Sequence, residues 1–187
     1  MALTTLDIKE PGLNTLPPGV ERYVVEGGGL TGIQILPDDE IQIINNEGNQ
    51  ICEISVFNKD GKSELGILSL KEIKDNSEIK KILFKKDETS LQALLQLNKR
   101  NLNIEKSKSS IIFDNETKAG ESIKLKSKDK CYCIFAAPGK QMLVHEQNPS
   151  TELTVMVTRS EVKKEKEFSI IPDPIYDPSE ERNIART

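Results

Sequence analysis

The sequence predicts an α+β protein that is mainly antiparallel β, a sandwich or a partly open barrel with two short covering helices. Three observations predict this class: short runs of alternating apolar residues occur towards both ends of the chain, turn residues separate these runs, and a block between them has helical spacing. The chain has 187 residues, of which 36% are hydrophobic and 30% charged. This size and composition suit one globular domain with a core of its own.

The first part of the chain predicts an extended arm followed by four strands. Residues 1–20 are rich in Pro, Gly and Thr and form the predicted arm. Strand-like runs follow at 21–25, 30–36, 40–44 and 50–57. The last two runs are separated by "NNEGN", whose Asn and Gly residues tolerate the positive φ angles of tight turns. We therefore expect a hairpin between them.

The middle of the chain changes to a helical period, which predicts a helical insert near residues 70–102. The apolar residues that recur at this spacing are Ile79, Ile82, Leu83, Leu91, Leu94 and Leu95, with Leu102 further on. Such spacing is typical of amphipathic helices whose apolar side faces a core. We expect two short helices to cover an open side of the sheet, with these leucines and isoleucines in the core.

Strand signals resume at 109–114, 121–127, 130–138 and 151–160. Because strands lie on both sides of the helical block, residues 21–162 are predicted to form a single β-rich domain. Residues 163–187 are charged and rich in proline, as extended linkers are. We expect this segment to lead into a C-terminal domain that the sequence does not include.

Composition argues against nucleic-acid and membrane functions. Aromatic residues make up 4% with no Trp, the net charge is −4 and the isoelectric point is about 5.3. Single-stranded nucleic acid needs stacking side chains, and phosphate backbones need a basic surface. The N-terminus lacks the pattern of a secretory signal, and no apolar stretch is long enough to span a bilayer. Three cysteines without such a signal indicate a reducing, cytoplasmic location.

Glu53 is the first candidate for chemistry, because it is the one acid within the apolar strand "QICEISVF". Alternation places Ser55 and Phe57 on the same face of the strand as Glu53. In a cavity lined by Phe57, the carboxylate could act as a general base or hold a cationic ligand. On that hypothesis Glu53→Gln weakens ligand binding and leaves the fold intact. The alternative, which the sequence favours, is a carboxylate at the rim of the sheet, solvated or paired with a lysine.

A second set of candidates comes from two polar turns. Asn49 and Gln50 precede the Glu53 strand, and Gln141 and His145 lie in the loop-like stretch "GKQMLVHEQNPST". His145 is the only histidine, and no Gly-x-Ser-x-Gly nucleophile motif accompanies it. We predict a ligand-binding role for these four residues with Glu53, and no catalytic residue among them. For His145, simple exposure is the favoured alternative.

The cysteines are predicted to be buried free thiols, without a metal. Cys131 and Cys133 are two residues apart on a strand and so face the same way, and Cys52 could join them in space. Three thiols and one histidine would be enough for zinc, but Cys-x-Cys is not the spacing of common zinc motifs. Phe135 continues the same face, as in a buried core.

Three stretches carry a resemblance to a known family. They are "LPDDEIQIINNEGNQICEISVFN", "FAAPGKQMLVHEQNPSTELTVMVTR" and "IPDPIYDPSEERNIART". The first resembles the Gly-Asn-Gln-x-x-Asp/Glu strand of the urea carboxylase-associated family, with matches at Gly48, Asn49, Gln50 and Glu53. Residues 137–139 match the second turn of that family. The order of the three stretches resembles the N-terminal region of large aminomethyltransferase-like, glycine cleavage T-protein-like proteins.

The resemblance implies an accessory domain of a catalytic polypeptide in one-carbon or amine metabolism. Its partners would be further domains of the same polypeptide, a small polar ligand near Glu53, or other copies of the chain. Catalytic family members resemble zinc enzymes with paired cysteines and histidines, and this chain lacks that cluster. No cofactor is therefore expected in this domain, and tetrahydrofolate only in the C-terminal module. The alternatives are a hydrolase or deiminase of small amine or urea-like compounds with Glu53 as acid/base, and a scaffold without a ligand.

Overall fold

The computed structural model describes residues 16–71, 74–75, 77–85, 88–139 and 149–160. This part of the chain contains nine strands, two α-helices and a 3-10 turn at Leu65–Leu68. The strands are β1 Val20–Val25, β2 Leu30–Ile35, β3 Glu40–Asn45, β4 Cys52–Asn58, β5 Lys74–Asp75, β6 Lys108–Phe113, β7 Glu121–Lys126, β8 Cys131–Ala136 and β9 Leu153–Thr158, and the helices are α1 Ser77–Leu83 and α2 Glu88–Lys99.

The strands form two antiparallel sheets, which confirms the predicted fold class. One sheet has the order β1-β9-β3-β7 and the other β2-β8-β4-β6-β5. Every pairing is antiparallel, and the two sheets do not close into a barrel within the described chain. All eight predicted strands and both helices are present. The 3-10 turn and the two-residue β5 were not predicted, since they are too short to show a period.

The main core lies between the two sheets. It contains the inward-facing residues of both, among them Ile41 and Ile43 of β3 and Ile54 and Val56 of β4. These side chains are fully buried. Because alternate residues of a strand point to opposite faces, only one face of each strand contributes to this core.

The predicted hairpin between the third and fourth strands is wrong. β3 belongs to the first sheet and β4 to the second, so the turn between them carries the chain across the sandwich. The turn residues have the expected positive φ angles, 79° at Gly48 and 56° at Asn49. Both strands nevertheless bury apolar side chains in the same core, because their sheets face each other.

The helices cover the outer face of the second sheet, as predicted. A second apolar cluster forms there from Phe57 and Ile134 of the sheet and Ile79, Leu83 and Leu102 of the helical region. Two of the leucines predicted to be core residues are not buried. Leu91 is 52% exposed and Leu95 is 60% exposed.

The end of β9 is tied to the start of the domain by Arg159. Its guanidinium donates to the carboxylates of Glu21 and Asp39 and to the carbonyl oxygen of Gln34. Asp39 is fully buried and also accepts from the backbone N–H of Ser160 at 2.9 Å. These bonds join β1, β2 and the turn before β3 to the last strand.

Parts of the predicted organisation fall outside the described residues. They include most of the predicted N-terminal arm and the whole predicted linker at 163–187. Among the helices that are described, none is long and apolar enough to cross a membrane.

Candidate functional site

Glu53 lies on β4 with its side chain towards the helices, and it is 3% exposed. Its Oε2 accepts the backbone N–H groups of Glu78 and Ile79, both at 3.0 Å. These are N–H groups of the first turn of α1, which have no partner inside the helix. A carboxylate at this end also offsets the positive end of the helix dipole. Glu53 therefore caps α1 from a strand that precedes it in the chain.

The second carboxylate oxygen of Glu53 is occupied as well. The hydroxyl of Ser109 on β6 donates to Oε1, so both oxygens of Glu53 accept hydrogen bonds from the protein. Ser109 is itself 3% exposed. The carboxylate is thus neither solvated at the rim nor paired with a lysine of the described chain, the two alternatives favoured by sequence. Its role as an acid/base or ligand group stays a prediction.

Gln50 is also buried, and it holds three segments together. Its amide nitrogen donates to the carbonyl oxygens of Ile51 and Pro138, each at 3.0 Å. Its amide oxygen accepts the backbone N–H of Thr151 at 2.8 Å, and its own carbonyl accepts from the Asn45 side chain. Two of the stretches that carry the family resemblance therefore meet at Gln50.

Gly48 and Asn49 form the tight turn in front of Gln50. The N–H of Asn49 donates to the carbonyl oxygen of Thr117 at 2.8 Å, and the side chain of Asn49 is exposed. A Cβ on Gly48 would lie 2.6 Å from the backbone nitrogen of Ala119. Glycine is required here because the backbone of residues 117–119 passes directly against it.

The predicted ligand residues do not share one hydrogen-bond network in the part of the chain that is described. Gln50 bonds towards Pro138 and Thr151, whereas Glu53 bonds towards α1 and Ser109. Gln141 and His145 lie outside the described residues. A site that combines all five residues stays a prediction.

All three cysteines are free and buried in the core between the sheets. The sulfur atoms of Cys131 and Cys133 are 3.8 Å apart, as their shared face predicts. Burial raises the pKa of Cys52 to about 12, with a smaller contribution from the charge of Glu53. The contact between the two thiols, followed by burial, raises the pKa of Cys133. No group of three His, Cys, Asp or Glu side chains in the described ranges is placed to hold a metal ion.

A cleft of about 350 Å³ lies between α2 and the outer face of β2 and β8. The sequence did not point to it. The available signal was Gly32 inside an otherwise regular strand, because an interior strand glycine often marks a place where something approaches the backbone. Its lining includes Leu30, Gly32, Ala93, Leu97, Arg100 and Tyr132.

The fold and these contacts define an antiparallel two-sheet domain with a helical cover, in which the side chains of Gln50 and Glu53 are engaged in internal hydrogen bonds. No family model matches the chain. It is 33% identical over 172 residues to a trimethylamine-oxide aldolase of Ruegeria pomeroyi, a match that covers 91% of this chain and 22% of the aldolase. The chain therefore spans about a fifth of the length of the curated relative it matches.

This match corrects the expected relation to an aminomethyltransferase, whereas an aminomethyltransferase-like parent polypeptide stays a prediction. The related protein is named an aldolase that acts on trimethylamine oxide, not an aminomethyltransferase. Sequence motifs pointed elsewhere because short strand-and-turn patterns report a fold more than a reaction. The resemblance to the urea carboxylase-associated family stays a prediction, as does tetrahydrofolate in a C-terminal module.

Proposed function

We propose that this chain is a non-catalytic accessory domain of a longer polypeptide related to trimethylamine-oxide aldolase, and that it docks onto the rest of that polypeptide. The observation that carries the proposal is an apolar surface on the helical cover. We call it the helical face and define it as Phe84, Leu91, Leu94 and Leu95.

The helical face exposes large apolar side chains next to one another. Phe84 is 46% exposed, Leu91 52% and Leu95 60%. Residues 91, 94 and 95 lie on one side of α2, because positions three and four apart are neighbours on a helix. A cleft of about 440 Å³ lined by Phe84 and Leu94 continues this surface. Grouped apolar side chains of this kind are typical of interaction sites.

The length of the relative supports a partner within the same polypeptide. The match covers 22% of the aldolase, so most of that protein lies outside the region that this chain resembles. An apolar patch on that remainder would bury the helical face and remove its leucines from water.

The contacts of Glu53 favour an accessory role over the alternative of a hydrolase or deiminase. A general base needs an oxygen within hydrogen-bond reach of its substrate. Both oxygens of Glu53 instead accept protein donors, and the carboxylate is 3% exposed. A substrate would have to displace α1 or Ser109 in order to reach it.

The first test asks whether the chain is catalytic alone. The purified chain is incubated with trimethylamine oxide or urea, and the substrate is followed by NMR or by a urea assay. We expect no turnover of either compound. Turnover that Glu53→Gln abolishes in a variant that remains folded would support the enzyme alternative and contradict this proposal.

The second test addresses the helical face. The Ruegeria aldolase is prepared without its matching region, and labelled chain is titrated with it while fluorescence anisotropy is recorded. We expect binding that the double variant Leu91→Gln/Leu95→Gln weakens at least about tenfold, because two leucines lose their apolar burial. Glu88→Gln/Lys99→Gln, which changes two exposed residues of the same helix, is the matched control. Equal binding by both double variants would contradict the proposal, and self-association that depends on the two leucines would identify a second copy as the partner.

A further inference from the structure

We propose that the cleft between α2 and strands β2 and β8 binds a small molecule with an apolar body and a carboxylate group. The site is separate from the helical face and from the Glu53 and Gln50 networks, and the proposal does not rest on the accessory role. It follows from how the cleft is formed, how it is lined and which charge it carries.

Two small residues, Gly32 on the sheet and Ala93 on the helix, contribute to the lining of the cleft. α2 presents Ala93, Gln96 and Leu97 on one side, and Arg100, the residue after the helix, continues that side because it is seven positions from Ala93. On the strand below, Gly32 has no side chain, and a Cβ built there would meet no atom within 4 Å. With little side-chain volume at Gly32 and Ala93, a cleft of about 350 Å³ remains between helix and sheet.

Gly32 is not required by the backbone. Its φ angle is not positive, so a residue with a side chain could adopt this backbone conformation, and the space above it is open. A glycine inside a strand weakens that strand, because it adds chain entropy and packs nothing. In this chain, Gly32 leaves the cleft open. A binding role for the cleft would explain why the strand keeps a glycine that weakens it.

Apolar side chains make up most of the lining of the cleft. Leu30 and Ile134 line the sheet side, and Leu83 and Leu97 line the helical side. A cleft of several hundred cubic ångströms lined mainly by apolar side chains, with a few polar groups, is typical of small-molecule sites. The polar groups are the side chains of Gln34, Gln96, Arg100 and Tyr132.

Arg100 gives the cleft its charge. Among the described residues, none that lines the cleft is acidic and none forms an ion pair with Arg100. Its Nη1 donates to the carbonyl oxygen and the side-chain oxygen of Gln96, both at 3.3 Å. These bonds hold the guanidinium at the cleft and leave its other N–H groups available. A guanidinium binds a carboxylate through two parallel hydrogen bonds, so a carboxylate is the matching ligand group.

The test uses sodium octanoate as the probe, with octylamine and octan-1-ol as probes of the same length and different charge. Binding to the full chain is measured by titration calorimetry and by NMR shifts of the residues around the cleft. We expect octanoate to bind at least about tenfold more tightly than octylamine, because the charged hydrogen bonds to Arg100 form with the carboxylate alone. Equal binding of the two, or no octanoate binding, would overturn the proposal.

Two variants locate the site. Arg100→Gln should weaken octanoate binding about tenfold and leave octan-1-ol binding unchanged, whereas Lys99→Gln, which removes a neighbouring exposed charge outside the cleft, should change neither. Gly32→Val should abolish the binding of octanoate and octan-1-ol by filling the cleft, with an unfolding temperature equal to or above that of the parent chain. Undiminished octanoate binding in folded Gly32→Val, or equal loss in Arg100→Gln and Lys99→Gln, would overturn the proposal.

Discussion

Gly48 shows what a single residue decides in this fold. Its φ of 79° is unfavourable for any residue with a Cβ, and a Cβ would also lie 2.6 Å from the nitrogen of Ala119. The two effects are separable in this chain, because Gly120 has a φ of 76° with open space around it.

Gly48→Ala should lower the free energy of unfolding by about 2–4 kcal/mol, since backbone strain and a backbone clash add. Gly120→Ala should cost about 1–2 kcal/mol, because only the strain applies. Chemical denaturation of both variants measures the difference. Equal losses would show that residues 117–119 move away from Gly48 without cost.

Glu53 is the residue whose interpretation changes most between sequence and structure. Sequence alone allows a ligand group whose replacement by Gln leaves the fold intact. With three protein donors on its carboxylate and α1 resting on it, Glu53 is instead placed to stabilise the fold. The reason lies in the contact with α1, which joins residues 25 and 26 positions apart in the chain.

Glu53→Gln should therefore destabilise the domain by about 1–3 kcal/mol, because the new amide cannot accept at both positions and the charge at the helix end is lost. Ser109→Ala, which removes one donor and leaves the charge in place, should cost less. Urea unfolding followed by circular dichroism measures both. A Glu53→Gln variant of unchanged stability that fails to bind a small amine would return Glu53 to the ligand role.

At the scale of elements, Arg159 ties the end of β9 to strands that are far from it along the chain. It bonds Glu21 at the start of β1, Asp39 before β3 and the backbone of β2. Burial opposes the charge on Arg159, but the hydrogen bonds and charges of the two carboxylates outweigh it and raise its pKa. β9 is thereby held between β1 and β3, the order that the first sheet shows.

The ion pair of Glu21 predicts a dependence of stability on pH. The hydrogen bond from Arg159 lowers the pKa of Glu21 below its usual value of 4.5, although burial acts in the opposite direction. A carboxyl whose pKa is lower in the folded state stabilises the fold above its unfolded pKa, and this contribution is lost as the pH falls through the folded value.

The stability difference between the parent chain and Glu21→Gln should therefore be present at neutral pH and shrink as the pH falls below 4.5. Urea unfolding across that pH range measures it. Glu47→Gln is the control, because Glu47 is exposed and has no ion pair within the described ranges. A Glu21 difference that stays constant to low pH would contradict the role of the ion pair.

At the scale of the whole molecule, the reactivity of the three cysteines measures how often the two sheets separate. All of them lie in the core between the sheets, and each is fully buried. A thiol reacts as the thiolate, and it must be reached by the reagent. Opening of the sandwich is therefore required before any of the three can react.

All three thiols should react with a water-soluble disulfide reagent at one rate, and that rate should rise with urea as global unfolding does. Absorbance of the released thiol measures the kinetics, and mass spectrometry shows whether singly labelled chains accumulate. Fully unfolded protein gives the rate without protection. Rapid labelling of Cys131 ahead of the others would show that the domain opens locally at β8.

The pairing of strands was beyond what local patterns could determine. Eight strands and two helices could be placed from the sequence, because alternation and helical spacing are local properties. The sequence could not show that β3 and β4 belong to different sheets. The turn "NNEGN" has the same chemistry whether the chain folds back into one sheet or crosses to the other. Leu91 and Leu95 were predicted to be buried, because a spacing shows that a side is apolar and not whether anything covers it.

The sequence by itself determined the class of fold, the positions of eight strands and both helices, the common face of Cys131 and Cys133, and a turn at Gly48 that needs positive φ. Tertiary structure alone decided that Glu53 caps α1, that Gln50 joins three segments and that a cleft opens above Gly32. The physical reason is the separation along the chain over which each effect acts. Periodicity and turn chemistry act between residues a few positions apart, whereas these contacts join residues brought together only when both sheets and their helical cover have packed.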